Sequence, residues 1–160
     1  MKTTPQTSAE TDNASVPNLI IYNGYEIPIG TTEQDKKVRA EIITDFYKKW
    51  FGKNEERKIK NDRMDKFIHV DGNSMRETRN WGRLSHRSTL TILELSYVLK
   101  YAAKTAEGAS KENKSQQRFN KMLTMECIVP QLRPYVNVAK LMVGVAKADN
   151  RKIQYSLTAK

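Results

Sequence analysis

The sequence predicts an α+β fold, with two main helices packed on an antiparallel sheet whose C-terminal strands form a hairpin. Three observations predict it. Apolar residues recur at helical spacing from Val38 to Trp50 and again from Leu90 to Ala102. After Lys121 the apolar period changes to two, and three such runs complete the chain. Near the other end, "LIIYNGYEIPIG" sets Asn23-Gly24 between two short apolar runs, a strong short-range hairpin signal.

Taken in order, residues 1–17 are polar and nearly devoid of large apolar groups, so a mobile N-terminal tail is expected ahead of a single domain over 18–160. In the hairpin that follows, Pro28 lacks a backbone donor and marks the second strand as an edge. The first helix is expected from "TTEQ", where Thr31 and Gln34 have capping-box spacing and Thr32 is the alternative cap. Val38, Ile42, Phe46 and Trp50, with Ile43 and Tyr47 beside them, form its apolar stripe, and Gly52 offers a stop. "RKIKNDRMDKFIHVDGN" then reads as two short strands, Lys58–Lys60 and Lys66–Val70. Residues Met75 to Arg83 fit either helix or loop. A central helix is expected from Ser88 to Ala106, apolar over much of its circumference. A polar connector near 107–121 precedes the strands. Leu123, Met125, Cys127 and Val129 share one face of the first of these, and Ala139, Leu141, Val143 and Val145 one face of the second. Ile153, Tyr155 and Leu157 do so in the last, with Ala148–Asn150 as the turn before it.

The composition narrows the function. Lys and Arg number 28 against 18 Asp and Glu, for a net charge of +10 in 160 residues. A folded domain this basic meets polyanions, nucleic acid before others. No apolar run has membrane-spanning length and no secretory signal pattern opens the chain, so a cytoplasmic protein without a membrane partner is expected. The single cysteine, Cys127, excludes an internal disulfide and a Cys-based zinc site. Motifs for nucleotide hydrolysis and zinc peptidase chemistry are missing, and the expectation is no metal and no cofactor.

"GRLSHRSTLTILEL" concentrates charge and hydroxyls at the mouth of the central helix. Arg76, Arg79, Arg83 and Arg87 are spaced three, four and four, so one continuous helix would carry all four on one face. A helix start offers free N–H groups and roughly half a positive charge, which favours phosphate. Ser88 is either an ordinary N-cap or a donor to that anion. His86 lies among these groups, and a histidine near its ordinary pKa can pass a proton either way. Metal-independent RNA cleavage needs such a group, together with cations such as Arg83 and Arg87 for the charge of the phosphorane. Tyr155 and Lys152 on the terminal hairpin are candidates to complete the site. The opposing reading is a capped helix on a solvated basic surface.

The layout also has a precedent. An "IPIG" run leads into "KKVRAEIITDFYKKWFGK", then come the paired short strands through "FIHVDGNSMRET", the segment "LSHRSTLTILELSYVLKYAA", and the closing "VAKLMVGVAKADNRKIQYSLT" hairpin. This resembles the large polyvalent-protein-associated domains of phages and conjugative elements, and the phage branch of the barnase–EndoU–colicin–RelE-like nucleases. The resemblance covers about Ile20 to Thr158. It implies a metal-independent ribonuclease-like protein of a phage or mobile element, toxin-like, with an inhibitor or antitoxin protein as a further partner. It implies catalytic roles for His86, Arg83, Arg87, Ser88 and Tyr155; Arg76, Arg79 and Lys152 are candidate nucleic-acid contacts. The alternatives are a non-catalytic nucleic-acid-binding accessory protein and a protein-interaction domain whose charge confers solubility.

Overall fold

In the computed structural model, residues 18–160 and the pair Gln6–Thr7 are described. The expected N-terminal tail otherwise lies outside the described residues; Gln6–Thr7 forms β1, paired to Ile20 and Ile21. β2 (Leu19–Tyr22) and β3 (Tyr25–Pro28) make the expected hairpin. Asn23 at φ 49° and Gly24 at φ 84° both take the left-handed conformation that a two-residue turn between twisted strands requires.

Helix α1 (Glu33–Lys53) is capped by Thr32 rather than Thr31, with Asp35 completing the capping box. Its stripe is buried as the spacing predicts, through Ile42, Ile43, Tyr47 and Trp50. Gly52 does not stop it; the helix continues one residue and Asn54 takes the C-cap, its amide donating to the Trp50 carbonyl. Strands β4 (Lys58–Asn61) and β5 (Lys66–His69) follow, joined by a tight loop in which Asp65 is left-handed. The ambiguous segment is helical: α2 (Gly72–Gly82) starts on an Asp71 cap that is reciprocated by Ser74.

The central helix is where expectation and structure part. Instead of one helix from Ser88 to Ala106 there are two short ones, α3 (His86–Ile92) and α4 (Leu95–Tyr101), and the last residues are strand. The break falls at Glu94, whose backbone leaves the helical region. The Glu94 carboxylate is buried, accepting from the Tyr22 hydroxyl and, at 3.0 Å, from the Gln131 amide. Keeping a buried carboxylate solvated by donors outweighs one more turn of helix. Ala102 then turns extended and β6 (Ala103–Ala109) pairs with β7 (Phe119–Cys127), so the connector shortens to residues 110–118. After a 3-10 turn at Pro130–Leu132, β8 (Ala139–Ala146) and β9 (Lys152–Ala159) form the terminal hairpin.

The fold is therefore α+β, with a six-stranded sheet in the order β4-β5-β9-β8-β7-β6 and a small second sheet of β1–β3. The large sheet is mixed rather than antiparallel, because β5 runs parallel to β9 over Ile68–His69. The connection from β5 to β9 passes through the helices and β6–β8, long enough to bring the chain back in the same direction.

One face of this sheet builds the main core with the helices. Leu123, Met125, Leu141, Val143 and Val145 lie in it as alternation predicts. The last strand departs from strict alternation. Met142 pairs with Ser156 and Val143 with Gln154, which leaves Tyr155 as an extra residue in a β-bulge. Leu157 stays in the main core, but Ile153 and Tyr155 join Phe119, Met122 and Met142 on the opposite face. Gln154 turns inward instead. It accepts from the Tyr47 hydroxyl at 2.9 Å and donates to Thr78 at 2.7 Å, joining α1, α2 and β9 through three fully buried polar groups.

A second buried amide ties the sheet's far strands to α4. Asn61 donates to the carbonyls of Leu99 and Ala102 at 2.8 and 2.9 Å, and accepts from the N–H groups of Arg63 and Met64. It thereby satisfies the carbonyls at the end of α4 and fixes the point where helix becomes β6. Replacing it removes the partner of two buried carbonyls on one side and of two part-buried N–H groups on the other. Asn61→Ala is expected to lower the unfolding free energy by about 2–4 kcal/mol in urea titration, with an unchanged far-ultraviolet spectrum at zero denaturant.

Candidate nucleic-acid interface

The four arginines do not form one row. Helix α2 ends at Gly82, Arg83 is its C-cap, and Arg87 belongs to α3, which Ser85 rather than Ser88 caps. Three of the four hydrogen-bond the protein itself: Arg76 donates to the Asn73 side-chain carbonyl, Arg79 to the Thr44 hydroxyl at 3.1 Å and Arg87 to the Tyr135 carbonyl at 2.8 Å. The Arg83 carbonyl accepts from Arg39. Arg39, which no local pattern singles out, is fully buried and also donates to the carbonyls of Pro28 and Gly30. Its Nη2 has no hydrogen-bond partner among the described residues. Ser88 is buried and its hydroxyl accepts the Ala159 N–H at 3.0 Å, closing the end of β9.

His86 is half-buried beside this group. Burial first, then the charges of Arg39 and Arg87, lower its pKa, so the imidazole is held neutral at pH 7. Burial and the charges of Arg151 and Lys58 do the same at His69. The terminal hairpin does not bring its candidates to His86. Tyr155 lies on the opposite face of the sheet, where its hydroxyl hydrogen-bonds that of Ser115 at 2.7 Å, and Lys152 lines a different basin. The cavity that holds Tyr155 is lined by neither His86 nor Arg83.

That cavity, about 670 Å³, runs over the sheet face away from the main core. Thr124, Lys140, Met142 and Tyr155 form its floor, Trp81 of α2 one lip, and Lys111 with Ser115 of the connector another. An adjoining hollow of about 630 Å³ shares Glu77 and Ser115 with it and adds Arg76, Lys114 and Arg118. Alternation from the inward Gln154 sends Tyr155 here, and the bulge lets Leu157 return to the core. The ring meets Phe119 edge-on, with centroids 6.2 Å apart. Phe119 needs Gly144 opposite it, since a Cβ there would come within 2.5 Å of the ring.

The connector is a fixed wall of this groove. Gln116 is buried and accepts from the Lys111 N–H at 2.8 Å. Arg118 pairs with Asp71 at 2.8 Å and stacks 4.7 Å from the Phe119 ring. Burial works to raise the Asp71 pKa, but Arg118 and the Ser74 N–H outweigh it and the value falls below the ordinary carboxylate range.

Five cations line the combined groove, Arg76, Lys111, Lys114, Arg118 and Lys140, against the carboxylates Glu77 and Glu107. Arg118 is spent on Asp71, and Glu107 is held by Lys104 and Lys121. Trp81 is 56% exposed, the largest exposure among the big apolar side chains of the described residues. An indole left in water on the lip of a cationic groove offers a stacking face and a donor. Its signal in the sequence is faint: a lone aromatic in "RETRNWGR", a segment that fits either helix or loop. Among the described residues no three His, Cys, Asp or Glu side chains converge as metal ligands, and no helix is long and apolar enough to cross a membrane. Comparisons with protein-family models, curated proteins and solved structures find no match to this chain.

The lowered histidine values have a stability consequence. Between the ordinary value of 6.5 and the lower folded-state value, the unfolded chain binds more protons than the folded one. The stabilisation is complete above 6.5 and is lost as the pH falls through the folded-state value. His86→Gln is therefore expected to flatten the decline in unfolding free energy between pH 7 and pH 5, measured by denaturant titration at each pH.

Proposed function

We propose that this protein binds single-stranded nucleic acid, RNA in the first place, along the groove between α2, the connector and the outer face of β6–β9. The observation that carries this is the exposed Trp81 ring on the lip of a groove lined by Arg76, Lys111, Lys114 and Lys140, with Tyr155 in its floor. A cationic track attracts the backbone, while aromatic rings take bases of any identity by stacking. Duplex DNA fits the reading less well, since its bases are already stacked and unavailable to an indole. The net charge of +10 supports association with such a partner at a distance.

The test is a salt series with labelled RNA and DNA oligonucleotides. Trp81→Ala is expected to weaken RNA binding by about 1–3 kcal/mol with little change in salt slope. Replacing Arg76, Lys111 and Lys114 by glutamine should instead lower the log–log salt slope by about 0.7 for each phosphate no longer neutralised. Unchanged binding in both variants would reject the groove as the interface.

RNA cleavage is the second reading, and the observation favouring it is at His86. A neutral imidazole beside the Arg39 and Arg87 cations suits a proton acceptor whose product charge is next to an anionic phosphate. The nuclease resemblance points to the same residue. Under this reading the protein cuts RNA in EDTA, leaves 2′,3′-cyclic phosphate ends, and retains only about 10⁻²–10⁻⁴ of its rate in His86→Ala while groove binding persists. Intact RNA after incubation with folded protein, with and without magnesium, leaves the binding reading alone.

A further inference from the structure

A second basin, about 1000 Å³, opens on the core side of the sheet, where α4 hands over to β6 and the β4–β5 loop comes close. Its floor is apolar, made by Leu123, Val145 and Met64. Lys66, Lys121 and Lys152 rise around that floor from three strands, with Arg63 and Lys104 at the margins. The register explains the convergence. Lys121 and Lys152 are both opposite Val145, one on each neighbouring strand, so their backbones are roughly 10 Å apart, two interstrand spacings. Lys66 is two residues before Ile68, which is opposite Lys152 on the next strand.

A solvated basic face normally interleaves its lysines with carboxylates. Among the described residues Glu107 is the one carboxylate lining the basin, and Lys104 and Lys121 already hold it at 2.7 and 3.3 Å. The Lys152 ammonium reaches the Asn150 carbonyl at 3.3 Å, and the side chains of Lys66 and Arg63 make no ion pair among the described residues. Like charges gathered over low-dielectric walls focus a positive field into the cavity. The apolar floor distinguishes this basin from a track for phosphodiester backbone alone.

We propose that this basin binds a compact oligophosphate carrying an apolar group, the chemistry of a nucleoside di- or triphosphate, with Lys66, Lys121 and Lys152 on the phosphates and Leu123 and Val145 under the organic part. The site is independent of the nucleic-acid groove, with which it shares only Glu107. An ammonium on a flexible stem meets phosphate as a point charge, so three from different strands accommodate a chain of phosphates without a glycine-rich loop.

Isothermal titration of the full chain in EDTA, with adenosine triphosphate and with inorganic tripolyphosphate as probes, tests the assignment. Both should bind saturably, the nucleotide several-fold tighter because only it covers the apolar floor. Lys66→Gln with Lys152→Gln should weaken both by at least roughly tenfold, as expected when one or more charge-assisted hydrogen bonds to phosphate are removed. Trp81→Ala should leave both within about twofold, the span of a site not touched. Lys66→Glu is the second variant and should abolish binding of either probe; its exposed position keeps the fold intact, checked by an unchanged unfolding midpoint. Absence of saturable binding, equal affinity for the two probes, an unaltered double variant, or an equal weakening in Trp81→Ala would each overturn the proposal.

Discussion

The single extra residue in β9 is the constraint on which both the packing and the groove depend. A strand held between β5 and β8, with helices against its inner face, has room on that face for alternate residues only. By inserting Tyr155, the bulge lets Leu157 return to the core while Gln154 lies on the same side and Tyr155 faces outward. Gln154 then meets Tyr47 and Thr78, so the bulge also fixes where α1 and α2 sit against the sheet. Each of these groups is buried, and a half-made network would leave an unsatisfied donor or acceptor inside. Burial raises the Tyr47 pKa far above that of an ordinary phenol, which keeps it a neutral donor to Gln154. Core and groove are consequently two sides of one local irregularity.

Buried polar side chains perform the same service elsewhere. Asn61 determines where α4 ends, Glu94 where the helix before it breaks, and Arg39 holds the β3 end to the α2–α3 elbow through three carbonyls. A hydrogen-bonded amide or guanidinium is directional, so it specifies a geometry that hydrophobic burial alone leaves loose.

The positive charge is partitioned accordingly. Arg39, Arg79, Arg87 and Arg118 are turned toward carbonyls, a hydroxyl and a carboxylate of the protein itself. Lysines make up most of the solvent-facing remainder; Lys111, Lys114 and Lys140 line the groove, and Lys66, Lys104, Lys121 and Lys152 the basin on the other face of the sheet. Arginine's planar fork suits fixed internal acceptors, whereas lysine suits mobile anions. The clustering of arginines around the α2–α3 elbow thus has a structural cause independent of any ligand.

Local pattern determined much of this protein. The Asn23-Gly24 hairpin, the stripe of α1, the β4–β5 pair, the inward faces of β7 and β8 and the terminal hairpin all follow from turn chemistry and apolar period, because each is decided by neighbours within a few residues. Arg76 and Tyr155 are legible as candidate site residues for the same reason: charge and aromatic character need no partner to be noticed. What only the tertiary structure decided involves partners distant in sequence. Ala103–Ala106 has helical composition, yet it becomes strand because β7 supplies a ladder and Asn61 holds the last carbonyls of α4. The parallel β5–β9 pair, the separation of His86 from Tyr155 and the meeting of Trp81 with the sheet arise from the return path of the chain. The bulge itself leaves "KIQYSLTA" with an unbroken alternating pattern. An extra residue is visible only against the strand it fails to match, and that strand is part of the fold rather than of the local sequence.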